Sequence, residues 1–350
     1  MTHHFGVNVR DAAPQQFKWE RMDRRLFLGL AAATPLFPLA AQACVALEPL
    51  VEEAENLQPL ETLLVARGGT VIAARGYRGH SPDRPKNIKS ASKSVISAMV
   101  GMAIERGLLE GVDQRVAPLL RADLPRDPDP LMEEITIGHL LSMQAGLGRT
   151  SGPNYGRWVS SSNWVRSALA MPFEARPGEG MLYSTGSTHL LSAILTRAGG
   201  RSSLSLARDW FGPLEGFAIT GWDRDPQGIY LGGNQMAMTP RSLLSFGELY
   251  RRDGVTAAGD RLLPARWIAE SWTPRARSRF NGDGYGYGWF LRRIGGEDVR
   301  YGWGYGGQMV YVVPEREMTV VMTSDDSAPS ARTGHRSDLH DLLARILAAC

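Results

Sequence analysis

The sequence predicts a mixed α/β fold in which an antiparallel sheet is flanked by helices and an α-rich lobe is inserted between its strands. Three observations predict it. Strand-like runs sit at both ends of the chain, helix-like runs fill the middle, and neither a repeat of fixed period nor a low-complexity linker separates them. A sheet built from both ends with helices between is one unit with two lobes. Hydrophobic residues make up 43% of the chain and charged residues 21%, the balance of an ordinary globular protein rather than a disordered one.

The first 43 residues are set apart. Arg24-Arg25 precedes an uncharged apolar run that ends at Ala41-Gln42-Ala43, the order of a twin-arginine export signal starting at Met22. Residues 1–21 read as an upstream extension of that start. Pro35 and Pro38 interrupt the run and alanines dilute it, which disfavours a stable membrane span. The expected destination is the periplasm or the cell exterior. Cys44 and Cys350, the only two cysteines, have no metal-ligand spacing. In an oxidising compartment they would close the whole chain if its ends meet. Lipidation of Cys44 is the other use for it, although residues 39–43 fit such a site poorly.

Residues 44–350 are then expected to form one domain, with a sheet lobe over about 58–88 and 283–350 and a helical lobe over about 89–282. Residues 61–67 and 70–76 are strand-like and joined across Gly68-Gly69, a hairpin signal. Residues 90–106 read as a helix, with Val95, Met99, Met102 and Ala103 at helical spacing and Gly107 as its stop. Helical pieces follow at 137–143, 164–170, 189–198 and 241–252, broken by Pro and Gly. Three prolines among the aspartates of 123–130 mark an extended surface loop. After residue 282 glycines interleave with aromatics, and strand runs at 311–313 and 318–322 flank the turn 314–317. Residues 339–349 close the chain as a helix, with His335 and His340 as polar positions around it.

Charge excludes one class of partner. Five basic and three acidic residues of 1–43 account for most of the formal charge of +3, so the remainder is nearly neutral and carries no nucleic-acid signature. Lysine occurs only at 18, 86, 89 and 93, against a background of arginine. Where lysine is retained, its ability to lose a proton, which arginine lacks, is a reason for it.

Ser90-Ala91-Ser92-Lys93 is the centre of the chemistry. At i and i+3 on a helix, hydroxyl and amine share a face. A serine hydroxyl needs an adjacent base to become a nucleophile, and lysine serves only when burial pulls its pKa down from about 10.4. Ser-x-x-Lys alone is equally a capped, exposed helix start, but Lys93 precedes Val95 and Ile96 at the head of an apolar helix, an odd place for a solvating charge. Tyr183, after the turn at Pro177-Gly178, has a hydroxyl that can share a proton with an amine; a core tyrosine is the alternative. Gly302-Trp303-Gly304-Tyr305-Gly306-Gly307-Gln308 leads into a strand and offers either N–H donors to a ligand or a simple tight turn.

In order and spacing these elements resemble the serine β-lactamase, penicillin-binding protein and esterase superfamily. Residues 136–147, 241–250, 261–264 and 285–289 resemble further landmarks of it, so the likeness runs from about 60 to 345. The nearest branch is that of 6-aminohexanoate-dimer hydrolase-like and class C-like esterases. The resemblance implies a β-lactamase/transpeptidase-like fold and acylation of Ser90, with Lys93 taking its proton and Tyr183 relaying one to the leaving group. It implies an oxyanion hole made by the N–H groups of Ser90 and of a residue near Tyr305, no cofactor and no metal. Trp303 and Gly304 would line the substrate site, and Tyr155, in a variable loop with Trp158, would contact substrate or remain a surface aromatic.

Two departures narrow the substrate. The family's Lys or His followed by Thr or Ser on the third strand is replaced by Gly302-Trp303-Gly304, and Thr185 stands where class C enzymes have asparagine. Both point away from efficient β-lactam turnover and toward a small-molecule ester or amide without an essential carboxylate. The alternatives are a non-catalytic penicillin-recognising sensor, D-Ala-D-Ala carboxypeptidase or β-lactamase activity, and acyl transfer to an alcohol. An α/β-hydrolase is excluded by the lack of G-x-S-x-G and a zinc hydrolase by the lack of HExxH.

Overall fold

Apolar runs from both ends of the chain build the main sheet. The computed structural model describes Met1, Cys44 and residues 46–350, so the expected export signal and the extension before it lie outside the described residues. All elements below belong to the unit Ala41–Cys350. The strands are β1 (Leu60–Arg67), β2 (Thr70–Gly76), β3 (Lys86–Asn87), β4 (Gly221–Trp222), β5 (Met236–Met238), β6 (Ala276–Arg277), β7 (Gly284–Tyr285), β8 (Phe290–Ile294), β9 (Glu297–Gly304), β10 (Gln308–Val313) and β11 (Met318–Ser324). Eight of them form a sheet in the order β2-β1-β11-β10-β9-β8-β7-β6, while β3, β5 and β4 form a second, three-stranded sheet. Neighbours in both sheets run antiparallel.

First and last strands are neighbours, with Leu63 opposite Met322 and Val65 opposite Val320. The sheet expected over 58–88 and 283–350 gains Ala276–Arg277 and gives up Lys86–Asn87, which pair with Met238 and Ala237 of β5. That pairing continues through the Ile88 N–H to the Met236 carbonyl at 2.9 Å and ties the segment before Ser90 to the segment after residue 230.

The helices are α1 (Leu47–Glu53), α2 (Ser92–Glu105), α3 (Val116–Leu119), α4 (Ile137–Leu141), α5 (Tyr155–Val159), α6 (Trp164–Leu169), α7 (Thr185–Ala198), α8 (Ser203–Trp210), α9 (Pro240–Arg251), α10 (Ala265–Ser271), α11 (Ser330–Thr333) and α12 (His335–Ala349). Side chains alternate across the sheet. Met309, Tyr311 and Val313 of β10 join the core formed with Leu47 and Val51 of α1 and Leu339, Leu343 and Ile346 of α12. Val310 and Val312 join the opposite core, with Val95 and Met99 of α2 and Leu243 and Phe246 of α9. With both faces covered, the central strands are apolar throughout.

Three expectations change. The helix expected over 90–106 runs from Ser92 to Glu105, and beyond the four residues expected at helical spacing, residues 92–103 are buried on every face, as in the axial helix of a core. Ser90 itself lies in a 3₁₀ turn, Lys89–Ala91, ahead of that helix. His335 and His340 are buried rather than polar surface positions: His335 Nε2 bonds Ser324 Oγ at 2.9 Å and His340 Nδ1 bonds Tyr311 Oη at 3.1 Å. Burial pulls His340 down to about 3, so its imidazole is neutral under β10.

Cys44 and Cys350 form a disulfide, with Cα atoms 4.4 Å apart across 306 residues of sequence. A link over so long a loop stabilises chiefly by restricting the unfolded chain, typically by about 2–4 kcal/mol. Cys350→Ser should therefore lower the denaturation midpoint relative to wild type without reductant; coincident unfolding curves would show that the link does not constrain the unfolded chain.

Candidate active site

The turn that carries Ser90 is built under strain. Lys89 adopts a φ of 50°, and Asn87 Oδ1 accepts its N–H at 2.9 Å. A non-glycine residue in this region is costly, and such positions concentrate at functional sites. Lys89 Nζ pairs with Asp326 at 2.7 Å, and Lys86 Nζ with Glu61 at 2.8 Å. Lys93 is different: no carboxylate lies within 4.0 Å of its amine among the described residues.

Lys93 Nζ donates to Ser90 Oγ at 2.9 Å and to the Gly233 carbonyl at 2.6 Å, with Thr185 Oγ1 at 3.5 Å. The side chain is 2% exposed. Burial without a counter-charge penalises the ammonium and pulls its pKa down to about 7. The Tyr183 ring completes the group, its centroid 5.0 Å from Lys93 Nζ. Burial pushes Tyr183 up to about 12, while its hydrogen bond with Ser90 pulls the other way. Near neutrality the amine is therefore available to accept a proton and the phenol retains one.

Tyr183 is fixed at both ends. Its ring stacks on Phe290 and meets Tyr285 edge-on, each at 6.1 Å between centroids. In the main chain, Leu182 N–H donates to the Met143 carbonyl at 2.9 Å and Arg149 Nε to the Tyr183 carbonyl at 3.2 Å. The loop after α4 thus holds the tyrosine segment in place, which gives the 136–147 stretch a structural purpose. The same loop caps α7, whose first N–H groups have no partner within the helix. Ser151 Oγ accepts from Thr185 N at 2.8 Å and Thr150 Oγ1 from Gly186 N at 2.7 Å. Ser151 Oγ also bonds Thr185 Oγ1 at 2.9 Å, which orients the hydroxyl beside Lys93.

Gly233 reaches the site through a buried pair. His189 Nε2 bonds Asp225 Oδ2 at 3.1 Å, and Asp225 Oδ1 accepts the N–H groups of Gln227 and Ile229, both at 2.8 Å. This fastens the loop before β5 to α7. Gly233 has a φ of 80°, and a Cβ there would lie 2.8 Å from Lys93 Cγ and 3.1 Å from Nζ, so only glycine presents this carbonyl without displacing the lysine.

The remaining expected residues are placed unequally. Tyr305 follows the last residue of β9 and is 46% exposed. The adjacent Gly304 lies so close to the Ser90 turn that a Cβ on it would be 2.2 Å from the Ile88 carbonyl oxygen and 3.0 Å from Lys89 Cβ. Gly304 thus permits a close approach of the end of β9 to this turn. Trp303 donates from Nε1 to Ser330 Oγ at 3.2 Å, with the Arg336 guanidinium 4.8 Å from its ring, so its polar edge is engaged by the fold. Its ring meets that of Phe290, which stacks on Tyr183, at 5.8 Å between centroids. Tyr155 opens α5, where burial raises its pKa against a hydrogen bond with Asn234, the residue after Gly233. Sequence reasoning missed Gly233, Ser151 and Thr150. The Gly232-Gly233-Asn234 run before a strand was the available signal for the first. Among the described residues, no group of three or more His, Cys, Asp or Glu could hold a metal ion.

The sequence profile of the Beta-lactamase family matches residues 61–344. A candidate 6-aminohexanoate-dimer hydrolase from Bacillus anthracis superposes with a TM-score of 0.66 at 18% identity, covering 84% of this chain and 82% of that one. The D-amino acid amidase of Ochrobactrum anthropi SV3 gives 0.68 at 16% identity, covering 88% and 100%. Among curated sequences, a probable fimbrial assembly protein FimD, serogroup H1, from Dichelobacter nodosus is 32% identical over 143 residues, 39% of this chain. The match spans only 36% of that relative's length.

Gly233→Ala should force Lys93 away from Ser90. The expected result is folded protein whose Ser90 reacts with a fluorophosphonate at least about tenfold more slowly, the loss of a general base. An unchanged labelling rate would show that the Gly233 carbonyl does not position Lys93.

Proposed function

The chain belongs to the β-lactamase family, and from that premise we propose that it is a serine hydrolase cleaving an ester or amide of a small molecule through an acyl-enzyme on Ser90. One observation carries the reading: a buried amine with no counter-charge, drawn down to about 7, lies 2.9 Å from a serine hydroxyl.

Lys93 takes the Ser90 proton as Oγ forms a bond to the substrate carbonyl carbon. The N–H groups of Ser90 and Tyr305 receive the charge that develops on the carbonyl oxygen. Collapse of the tetrahedral intermediate breaks the bond to the leaving alcohol or amine, which takes a proton from Tyr183; Lys93 returns its proton to the phenolate. Water then adds to the acyl-enzyme by the reverse proton path and releases the acid and free Ser90. An alcohol in place of water would give acyl transfer with the same residues. The likeness to a D-amino acid amidase and to a 6-aminohexanoate-dimer hydrolase supports hydrolysis, and the former supports an amide as the bond. Without a Lys or His on β9, the β-lactamase and D-Ala-D-Ala carboxypeptidase readings have less support. We also propose export through the twin-arginine signal, a reading supported by the Cys44–Cys350 disulfide, which suits an oxidising compartment.

Intact-mass spectrometry after incubation with a fluorophosphonate should show one adduct on wild type and none on Ser90→Ala. No adduct on folded wild type would remove the acyl-enzyme mechanism and favour a protein that binds without turnover.

The pH dependence follows from Lys93. Its folded pKa lies below the ordinary value of 10.5, so the base form accumulates as pH rises through about 7. Labelling should rise along a limb with an apparent pKa near 7, with no descending limb from Tyr183 below about pH 10, since its proton is held up to about 12. Lys93→Arg should lose the activity, because a guanidinium keeps the charge and cannot act as the base. Full activity in that variant would exclude Lys93 as proton acceptor.

A further inference from the structure

The third strand has Gly302-Trp303-Gly304 where the resembled family has its Lys or His, and another cation lies against the main chain of Tyr183. Arg149 donates from Nε to the Tyr183 carbonyl at 3.2 Å, and the Phe280 ring lies against its guanidinium, 4.8 Å from Cζ to centroid. Neither terminal nitrogen of Arg149 has a hydrogen-bond or ion-pair partner among the described residues. A guanidinium presents five N–H donors in one plane and an aromatic-like face. Here the face is covered by Phe280 and Nε is spent on the main chain. The edge bearing Nη1 and Nη2 has no partner among the described residues, and it matches the two oxygens of a carboxylate.

The surroundings favour an anion. Phe280 is 62% exposed, so the stacked pair lies where a solute can reach it. Arg279, its neighbour, places Nη2 3.5 Å from the position a Cβ on Gly180 would take, and it too has no carboxylate partner among the described residues. Two acidic groups are near: Glu174 Oε1, 3.0 Å from the position of a Cβ on Gly148, and Glu179, next to Gly180. Neither is within ion-pair distance of Arg149 or Arg279. The loop bearing Phe280 is anchored at its base. Asp283, 5% exposed, accepts from Arg292 Nη1 at 2.8 Å, from Asn281 Nδ2 at 2.7 Å and from Tyr301 Oη.

We propose that Arg149, aided by Arg279, binds a carboxylate of the substrate, so that the site selects esters or amides that bear a carboxylate. This rests on the serine hydrolase reading and revises the sequence expectation that no carboxylate is needed: the anion site has moved from the third strand to the loop that holds Tyr183.

The test uses matched aryl esters carrying a carboxylate on the acyl chain or on the leaving group, each beside its methyl ester. Wild type should prefer one of the acids to its methyl ester in kcat/KM. Arg149→Gln should reduce that ratio by at least about tenfold, the loss of a bidentate charged contact, and Arg149→Lys should restore part of it. The preference should also weaken with added salt. A role confined to holding the Tyr183 carbonyl would slow acid and methyl ester alike and leave the ratio unchanged. Equal turnover of every pair by wild type, or an unchanged ratio in Arg149→Gln, overturns the proposal. Fluorophosphonate labelling of the same preparations separates the two failures: a labelled enzyme without preference sinks only the carboxylate site, whereas an unlabelled one sinks the hydrolase reading beneath it.

Discussion

An amine held in the interior without a counter-charge is the constraint on which the rest of this structure depends. Lys93 stands on a helix buried on every face for three turns, so its amine cannot reach bulk water. Its partners are a hydroxyl, a carbonyl and a more distant threonine, which accept hydrogen bonds but carry no full charge. A carboxylate in their place would hold the proton on the lysine. The two other described lysines show the contrast, since Lys86 and Lys89 sit near Ser90 and each has an acidic partner. Of the three described lysines, Lys93 alone has no acidic partner.

Much of the fold serves to hold acceptors around that amine. The small sheet β3-β5-β4 sets the chain before Ser90 beside the chain after Gly233. The His189–Asp225 pair fixes the loop that delivers the Gly233 carbonyl, and residues 150 and 151 cap the helix that begins two residues after Tyr183. On the other side, Gly304 brings the end of β9 against the turn that bears the serine. Segments distant in sequence converge, and each is fixed by main-chain bonds or buried pairs rather than by exposed ion pairs, which hold geometry weakly.

The Ser90–Lys93 contact was legible because it depends on local spacing. Ser90 and Lys93 lie one turn apart on any helix, and an apolar run after a lysine signals its burial. The two-ended sheet was legible because strand-like runs frame helical ones. What stayed hidden is what depends on tertiary approach. Nothing local reveals that Gly304 lies against the Ile88 carbonyl. His335 and His340 read as polar positions on a helix, because nothing local reveals that Ser324 and Tyr311 lie beneath them. Gly233 and Ser151 belong to loops whose contacts with α2 and α7 span long stretches of chain, and no periodicity encodes such a meeting. Helix starts shifted for the same reason: α7 begins at Thr185 because its caps come from residues 150 and 151.

The disulfide gives the folded chain a further property. With Cys44 and Cys350 bonded and their Cα atoms 4.4 Å apart, residues 44–350 are covalently a ring, and the place where the polypeptide opens is a matter of genetic order rather than of architecture. The exposed, proline-rich stretch 126–130 belongs to neither sheet and supplies none of the groups around Lys93. A circularly permuted gene that joined the present ends by a short linker and opened the ring there would keep every strand pairing and every contact of the lysine. It would also put β1 and β11, now the first and last strands of the main sheet, within one continuous stretch of chain, turning the longest-range pairing of the fold into a local one.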